Sequence, residues 1–274
     1  MRFIQSVGHL KYTNPEIQIS GICLQSSDIY EIKNSNIILT KYALEYISDY
    51  DLRYLTKNNV VYADPVDLKL DLHKLKKVDK VIASSNMQFQ YLKNSRLKNI
   101  EINYHTTDFR IKNIKANVES FSIGYFGSLE RLPKDLANNY EIQVIKTPLS
   151  YEPFRVLPIY SQQLWKYSAH LAVGTQVNNL VFKPFTKGLI ASTVGAVTLI
   201  SSKDEEAVSL LGRDYPYSVA LKNEKSLKLE IDFMRRTFKR QEWILAVTKH
   251  QQLLRYCCEI QVLNKWLQIL SYKK

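Results

Sequence analysis

Lys183 and Lys187 stand on either side of the point where a helix has to begin. Pro184 disfavours the αR region at the residue before it and suits a first helical turn, so Lys183-Pro184-Phe185-Thr186-Lys187 predicts a helix starting near Thr186. The open N–H groups and positive dipole end of that helix, with two lysines beside them, would receive a phosphate. An ordinary helix start with two solvated lysines is the plain alternative. Upstream, Gly127-Ser128 is a turn through which the backbone can come close to a ligand, and Arg131 and Lys134 follow at once with charge of the right sign for an anion. Polar residues after three strand-like runs are further candidates: Asp64 to Asp67, Ser84-Ser85, and His105-Thr106-Thr107-Asp108. Each has a cap or turn as its simpler explanation. The 5 histidines and 3 cysteines carry no CxxC or HExxH spacing that would hold a metal.

The elements that must position these residues alternate. Ile19 to Leu24, Ile37 to Thr40, Val60 to Ala63, Lys80 to Ser85 and Ile100 to Asn103 read as short strands, and Tyr42 to Leu55 and Asn86 to Lys93 as helical stretches, with Ser85 as an N-cap. A second alternation begins at Phe121, with strands at Ser122 to Phe126, Glu141 to Lys146, Ala169 to Val173 and Val197 to Ser201. Between them fall a helical stretch at Leu157 to Lys166, the helix after Pro184, and another opening in Asp204-Glu205-Glu206. Strands alternating with helices imply mostly parallel sheets with helices on both faces, and ligands then sit beyond the carboxyl ends of the strands. From about Glu224 to Tyr272 the chain is helical, with Phe233, Phe238, Trp243, Ile244, Val247, Leu253, Leu254, Tyr256, Ile260, Leu263, Trp266, Leu267 and Leu270 at intervals of three and four. A break between Lys112 and Glu119 divides the chain into residues 1–115 and 116–274.

A chain of 274 residues with 45% hydrophobic side chains can build one large core or two ordinary ones, which excludes a disordered tail. The formal charge of +12 favours a polyanion, an anionic membrane face or a phosphorylated small molecule. Cys23, Cys257 and Cys258 are an odd number with an adjacent pair, which suits reduced thiols and a cytoplasmic setting. No stretch approaches the ~20 apolar residues of a membrane span, and the first 20 residues given hold no apolar core long enough for a secretion signal, which leads to the expectation of a protein kept in the cytoplasm. The cluster Arg235-Arg236-Thr237-Phe238-Lys239-Arg240 suits either an anionic membrane surface or the solvated face of a packed helix.

Ile123-Gly124-Tyr125-Phe126-Gly127-Ser128-Leu129-Glu130 resembles the strand and glycine loop that open the donor domain of GT-B glycosyltransferases of the group-1/GT4-like families. Lys183-Pro184-Phe185-Thr186-Lys187, Gly195-Ala196-Val197 and Glu205-Glu206 extend the likeness, and Asp64-Pro65-Val66-Asp67, Val81 to Ser85 and Tyr104 to Asp108 look like acceptor-domain landmarks. The resemblance covers most of the chain. It implies an α/β fold of two Rossmann-like domains facing across a cleft, with C-terminal helices: residues 1–115 binding the acceptor and 116–274 the nucleotide-sugar donor. It implies a metal-independent, hexosyltransferase-type enzyme with no cofactor, using a UDP- or GDP-linked sugar and a glycan or lipid-linked glycan acceptor in cell-surface polysaccharide or lipopolysaccharide synthesis. By the same likeness Gly127, Ser128, Arg131, Lys134, Lys183, Thr186 and Lys187 would hold the donor diphosphate and Glu205 or Glu206 the ribose. Asp28, Asp64, Asp67, His105 and Asp108 are available to take the acceptor proton, with His105, Asp67 and Asp108 the chosen candidates and His105 the one the likeness favours. Where many retaining relatives carry a spaced glutamate pair this chain has Lys183 and Ile190, so the pair's sugar contacts do not transfer.

Two other classes remain open on sequence. The positive charge and 18 tyrosines suit a nucleic-acid-binding protein, or a sugar transferase acting on modified DNA, although no known nucleic-acid-binding signature is present. The missing glutamates also suit a catalytically degenerate partner subunit.

Overall fold

The computed structural model describes residues 16–22, 24, 28–128, 132, 142–147, 159–173, 181–220 and 224–271. The chain forms two compact units. One comprises Met1–His105, Asn178–Pro184 and Ile260–Lys274, the other Thr106–Val177 and Phe185–Glu259. The division thus falls between His105 and Thr106, earlier than the sequence break, and the last helix belongs with the first unit.

In the first unit β1 (Asn36–Leu39), α1 (Lys41–Tyr46), α2 (Asp49–Asn58), β2 (Val60–Ala63), α3 (Leu72–Leu75), β3 (Lys80–Ala83), α4 (Asn86–Asn94) and β4 (Ile100–Ile102) follow in order. Their strands make a parallel sheet in the order β1-β2-β3-β4, with Asn36 opposite Val60 and Val81 opposite Ile100. The stretch expected as one helix from Tyr42 to Leu55 is two. Ile47 is extended, and the Ser48 side chain accepts from the Asp51 N–H to start α2 afresh. Ser85 caps α4 as expected, accepting from the Gln88 N–H. Ile19 to Leu24 is not a strand over its described residues. Gly21 interrupts its apolar face, so Ile19 and Leu24 pack into two different clusters while Ile22 is left 51% exposed.

The second unit holds β5 (Ile123–Phe126), β6 (Gln143–Ile145), α5 (Ser161–Leu164), β7 (Ala169–Leu171), α6 (Thr186–Val194), β8 (Val197–Ser201), α7 (Glu205–Leu211), β9 (Ser218–Val219), α8 (Glu224–Arg236) and α9 (Gln241–Cys257). Its sheet is parallel in the order β6-β5-β7-β8-β9. The near-continuous apolar runs of β5, β7 and β8 are buried, as strands covered on both faces must be.

The helical tail breaks twice, at Thr237 to Arg240 and at Cys258, and α10 (Glu259–Leu270) returns to the first unit. There Val262, Leu263, Trp266 and Ile269 pack with Tyr62 and Ile82. The buried Tyr62 hydroxyl donates to the Ile269 carbonyl at 3.1 Å, Asn103 Nδ2 donates to the Val262 carbonyl at 3.4 Å, and Lys265 pairs with Glu101 at 2.8 Å. Of the apolar stripe read along the tail, Ile244, Tyr256 and Ile260 are exposed instead of buried, because the two breaks reset the helical phase.

Candidate functional site

The second unit brings two of the sequence-chosen elements together at the carboxyl end of β5. Gly127 follows that strand and its N–H donates to the Ile145 carbonyl at 3.1 Å. The hydroxyl of buried Tyr125 reaches forward to the Ser128 carbonyl at 3.2 Å, pinning the turn. A Cβ at Gly127 would lie 3.0 Å from that hydroxyl, so a larger residue would press on the tyrosine that holds the turn. Lys187, on the first turn of α6, holds its ammonium 3.8 Å from the centre of the Tyr125 ring. A cation over an electron-rich face is attracted by the ring quadrupole, so the lysine is steered to the same tyrosine that fixes the Gly127-Ser128 turn.

Helix α6 begins at Thr186 as the sequence predicts, and its N-cap residue Phe185 makes no side-chain capping bond. The first N–H groups therefore lack the usual acceptor from the cap position. Phe185 is buried, and its ring lies across Gly188, where a Cβ would fall 1.8 Å from a ring carbon. The far side of α6 is fastened by a polar set that periodicity does not reveal. Ser192 Oγ donates to the Gly188 carbonyl at 2.8 Å and lies 2.6 Å from His250 Nδ1. His250 Nε2 in turn accepts from the Thr198 backbone N–H at 3.1 Å, and the Tyr215 hydroxyl donates to the Thr198 carbonyl at 2.6 Å. These bonds assign the proton of a neutral imidazole to Nδ1. Burial holds the imidazole down to about 3, as it does the second buried histidine, His170 on β7, where the neighbouring His250 adds to the effect.

At the start of α7 the Asp204 side chain accepts from the Ala207 N–H at 3.0 Å. Burial pushes the Asp204 carboxyl up from its ordinary range, against the pull of its backbone hydrogen bonds and of Lys187. Glu205 is exposed, whereas Glu206 is buried at 6% exposure. Burial, helped by the Glu206 carboxylate, raises the Cys257 thiol to about 12. Gly127, Ser128, the start of α6 with Lys187, and the head of α7 thus belong to one unit.

The remaining candidates are dispersed. Lys183 is exposed on a segment of the first unit, where Val181 bridges to Lys69 and Phe182 packs on Tyr91 with ring centres 5.1 Å apart. Arg131 and Lys134 lie outside the described residues. Asp67 is exposed in a turn with φ of 54°, a left-handed geometry that aspartate tolerates better than most residues. His105 is half-buried at the end of the first unit. Asp108 is buried in the second unit, where its carboxylate accepts from the Arg110 N–H at 3.0 Å and from Arg110 Nε at 2.8 Å. Nearby, the Thr107 and Thr193 hydroxyls meet at 2.9 Å.

Sequence reasoning missed Tyr125 and His250. A sign of His250 was present, since it shares one face of α9 with the buried Trp243, Ala246, Leu253 and Cys257, and a histidine inside an apolar stripe needs partners. Tyr125 carried no such sign, because a tyrosine in a buried strand reads as core.

No protein-family model matches the chain, and no curated protein does. Solved structures do match. A glycosyltransferase from Rickettsia africae aligns over 97% of this chain and 86% of its own, with a TM-score of 0.60 at 11% identity. HepE of Anabaena, solved with UDP and glucose, aligns over 87% of this chain and 78% of its own, with a TM-score of 0.58 at 10% identity. Sucrose-phosphate synthase from Thermosynechococcus elongatus aligns over 85% and 72%, with a TM-score of 0.53 at 10% identity. Two parallel α/β sheets in this order, matched by these structures along most of the chain, are the GT-B glycosyltransferase fold.

Proposed function

We propose that the protein is a glycosyltransferase that moves a sugar from a nucleotide diphosphate, UDP- or GDP-linked, to a glycan or lipid-linked glycan acceptor in cell-surface polysaccharide or lipopolysaccharide assembly. The observation that carries this reading is Lys187 lying 3.8 Å over the Tyr125 ring, which ties a cation on the start of α6 to the Gly127-Ser128 turn. HepE, of the same fold, is bound to UDP and glucose in its structure.

In the proposed reaction the bond from the sugar to the diphosphate breaks, and negative charge grows on the leaving oxygens. A preorganised cation and backbone N–H groups stabilise that charge more than they stabilise the substrate. Lys187 supplies the cation, the start of α6 supplies the N–H groups, and Gly127 lets the backbone approach. The exposed carboxylate Glu205 is the better placed of the two glutamates to reach a ribose hydroxyl from solvent, with Glu206 packed inward. Lys183, Arg131 and Lys134 are proposed as further donor contacts. For the acceptor proton we favour His105, with Asp67 as second, because the Asp108 carboxylate is committed to Arg110. The chemistry in this reading needs neither a metal nor a cofactor, and the work is done at the cytoplasmic face of a membrane.

A thermal-shift screen against UDP-, GDP-, CMP- and ADP-linked sugars tests the reading, since a ligand held only by the folded state raises its stability. A rise with a UDP- or GDP-sugar that disappears in Lys187→Ala is the expected result. Absence of any shift across the four donor classes overturns it.

A further inference from the structure

We propose that the turn joining α8 to α9 is the surface by which the protein docks on an anionic lipid bilayer. The proposal rests on the foregoing reading for its purpose, delivery to a lipid-linked acceptor, and on the local surface for its location. Arg235, Arg236, Lys239 and Arg240 are all exposed around this turn. One helical turn further on, Ile244 and Leu245 are exposed at 60% and 37%. They lie off the stripe by which α9 packs inward, which is already formed by Trp243, Ala246, His250, Leu253 and Cys257. Two aliphatic side chains beside four cations suit the boundary between lipid headgroups and acyl chains.

The turn is held in shape from beneath. Phe238 packs edge-on against Trp243 with ring centres 4.7 Å apart, and Phe121 meets Phe238 at 6.1 Å. Lys239, at φ of 61°, donates to the Glu119 carbonyl at 3.3 Å. Arg235 pairs with Asp232 at 2.6 Å and lies over the Phe121 ring. Of the other nearby carboxylates, Glu119 is exposed, and Glu242 is half-buried and close enough to Tyr217 to help burial raise its hydroxyl. The four cations thus outnumber the three carboxylates at the turn, with Asp232 paired to Arg235, and Arg236 and Arg240 contribute most to the outward potential. That potential fits an anionic surface, in keeping with the net charge of +12.

A phosphodiester polymer would also be drawn to the cations, but it offers nothing to Ile244 and Leu245. A bilayer uses both, and among the described residues no helix is long and apolar enough to cross one. Each cation near an anionic surface multiplies partitioning by roughly fivefold, so docking of this kind is weak and reversible.

Co-sedimentation of the full chain with phosphatidylcholine vesicles, with and without phosphatidylglycerol, is the test. Binding should appear with phosphatidylglycerol and fall at least about tenfold in Arg236→Glu/Arg240→Glu, as two charge reversals require. It should fall several-fold in Ile244→Ser/Leu245→Ser, with the melting temperature of the arginine variant unchanged and that of the serine variant still well above the assay temperature. Equal binding with and without phosphatidylglycerol, no binding, or wild-type binding by either variant overturns the proposal. Loss of vesicle binding to a competing duplex DNA oligonucleotide, with the serine variant unaffected, assigns the turn to polyphosphate and overturns it too. Vesicle binding without any nucleotide-sugar shift defeats the glycosyltransferase reading alone, and the converse result defeats the docking surface alone.

Discussion

Ser192 on α6 and His250 on α9 lie 2.6 Å apart, Oγ to Nδ1, and this bond ties the helix that begins the proposed anion site to the helix behind it. His250 also satisfies the Thr198 N–H, a strand donor that the two-residue β9 is too short to reach. Replacing His250 with alanine removes the Nδ1–H donor from Ser192 Oγ and one of the two acceptors of the Thr198 N–H, the other being the Tyr215 hydroxyl at 3.1 Å, besides opening a cavity. A loss of about 2–4 kcal/mol is expected, read from urea unfolding at neutral pH. A loss below about 0.5 kcal/mol, the ordinary scatter of surface changes, would show that the network is not structural.

Acid should weaken the fold before any carboxylate titrates. His170 and His250 have folded values near 3 against an ordinary 6.5, so below 6.5 the unfolded chain binds protons that the folded chain does not. Their stabilisation is complete above pH 6.5 and is lost as pH falls towards 3, by on the order of 1 kcal/mol per pH unit for each ring. Asp204, pushed up by burial, works in the opposite sense over the carboxylate range, so the clean window lies above about pH 5. His170 Nε2 has no hydrogen-bond partner and its ring packs 4.6 Å from Phe126. His170→Phe should therefore roughly halve the slope in that window with little change at pH 7. An unaltered slope would mean that His170 does not stay neutral in the fold.

Gly188→Ala sets two effects against each other. Alanine favours a helix over glycine by up to about 1 kcal/mol, but its methyl would enter the Phe185 ring. Overpacking of that kind costs about 1–3 kcal/mol, so the variant should melt lower than wild type. Adding Phe185→Ala should convert Gly188→Ala from a loss into a gain, which a double-mutant cycle of unfolding free energies measures directly.

Lys187→Met keeps the length and the contact with the Tyr125 ring while removing the charge. If the ammonium meets a diphosphate, one charged hydrogen bond of about 1.5–3 kcal/mol disappears, and affinity for UDP or GDP should drop about ten- to hundredfold by calorimetry. Unchanged affinity would remove Lys187 from the site.

Trp266 is 1% exposed in the cluster that α10 forms on the first sheet. Trp266→Ala should cost about 3–5 kcal/mol, seen as a lowered melting temperature together with faster amide exchange at Tyr62 and Ile82.

The alternation of strands and helices was legible because apolar runs such as Val60 to Ala63 and Val197 to Ser201 match buried parallel strands almost residue for residue. The start of α6 was legible through Pro184, and the head of α7 through Asp204. Less was available where partners are distant. Nothing local says that Trp266 packs on Tyr62, or that β9 is too short to satisfy Thr198. Asp108 looked as suitable a base as His105 because Arg110, two residues on, gives no hint in sequence that its guanidinium folds back on the carboxylate. The exposed Ile244 looked like core because the phase of the tail helix was carried through a break at Lys239, whose left-handed backbone no residue type there announces.

The return of α10 to the first unit sets a timetable for synthesis. The chain up to β4 contains every strand of that unit's sheet found among the described residues, yet the helix that covers Tyr62 and Ile82 emerges about 150 residues later. At ribosomal speeds of about 5–20 residues per second, that face waits roughly 8–30 seconds for its cover. The second unit lies wholly within the intervening stretch apart from a short excursion at Asn178–Pro184. The unit that begins first on the ribosome is therefore the one that finishes last, and during the wait its bare apolar face is the surface a chaperone would hold.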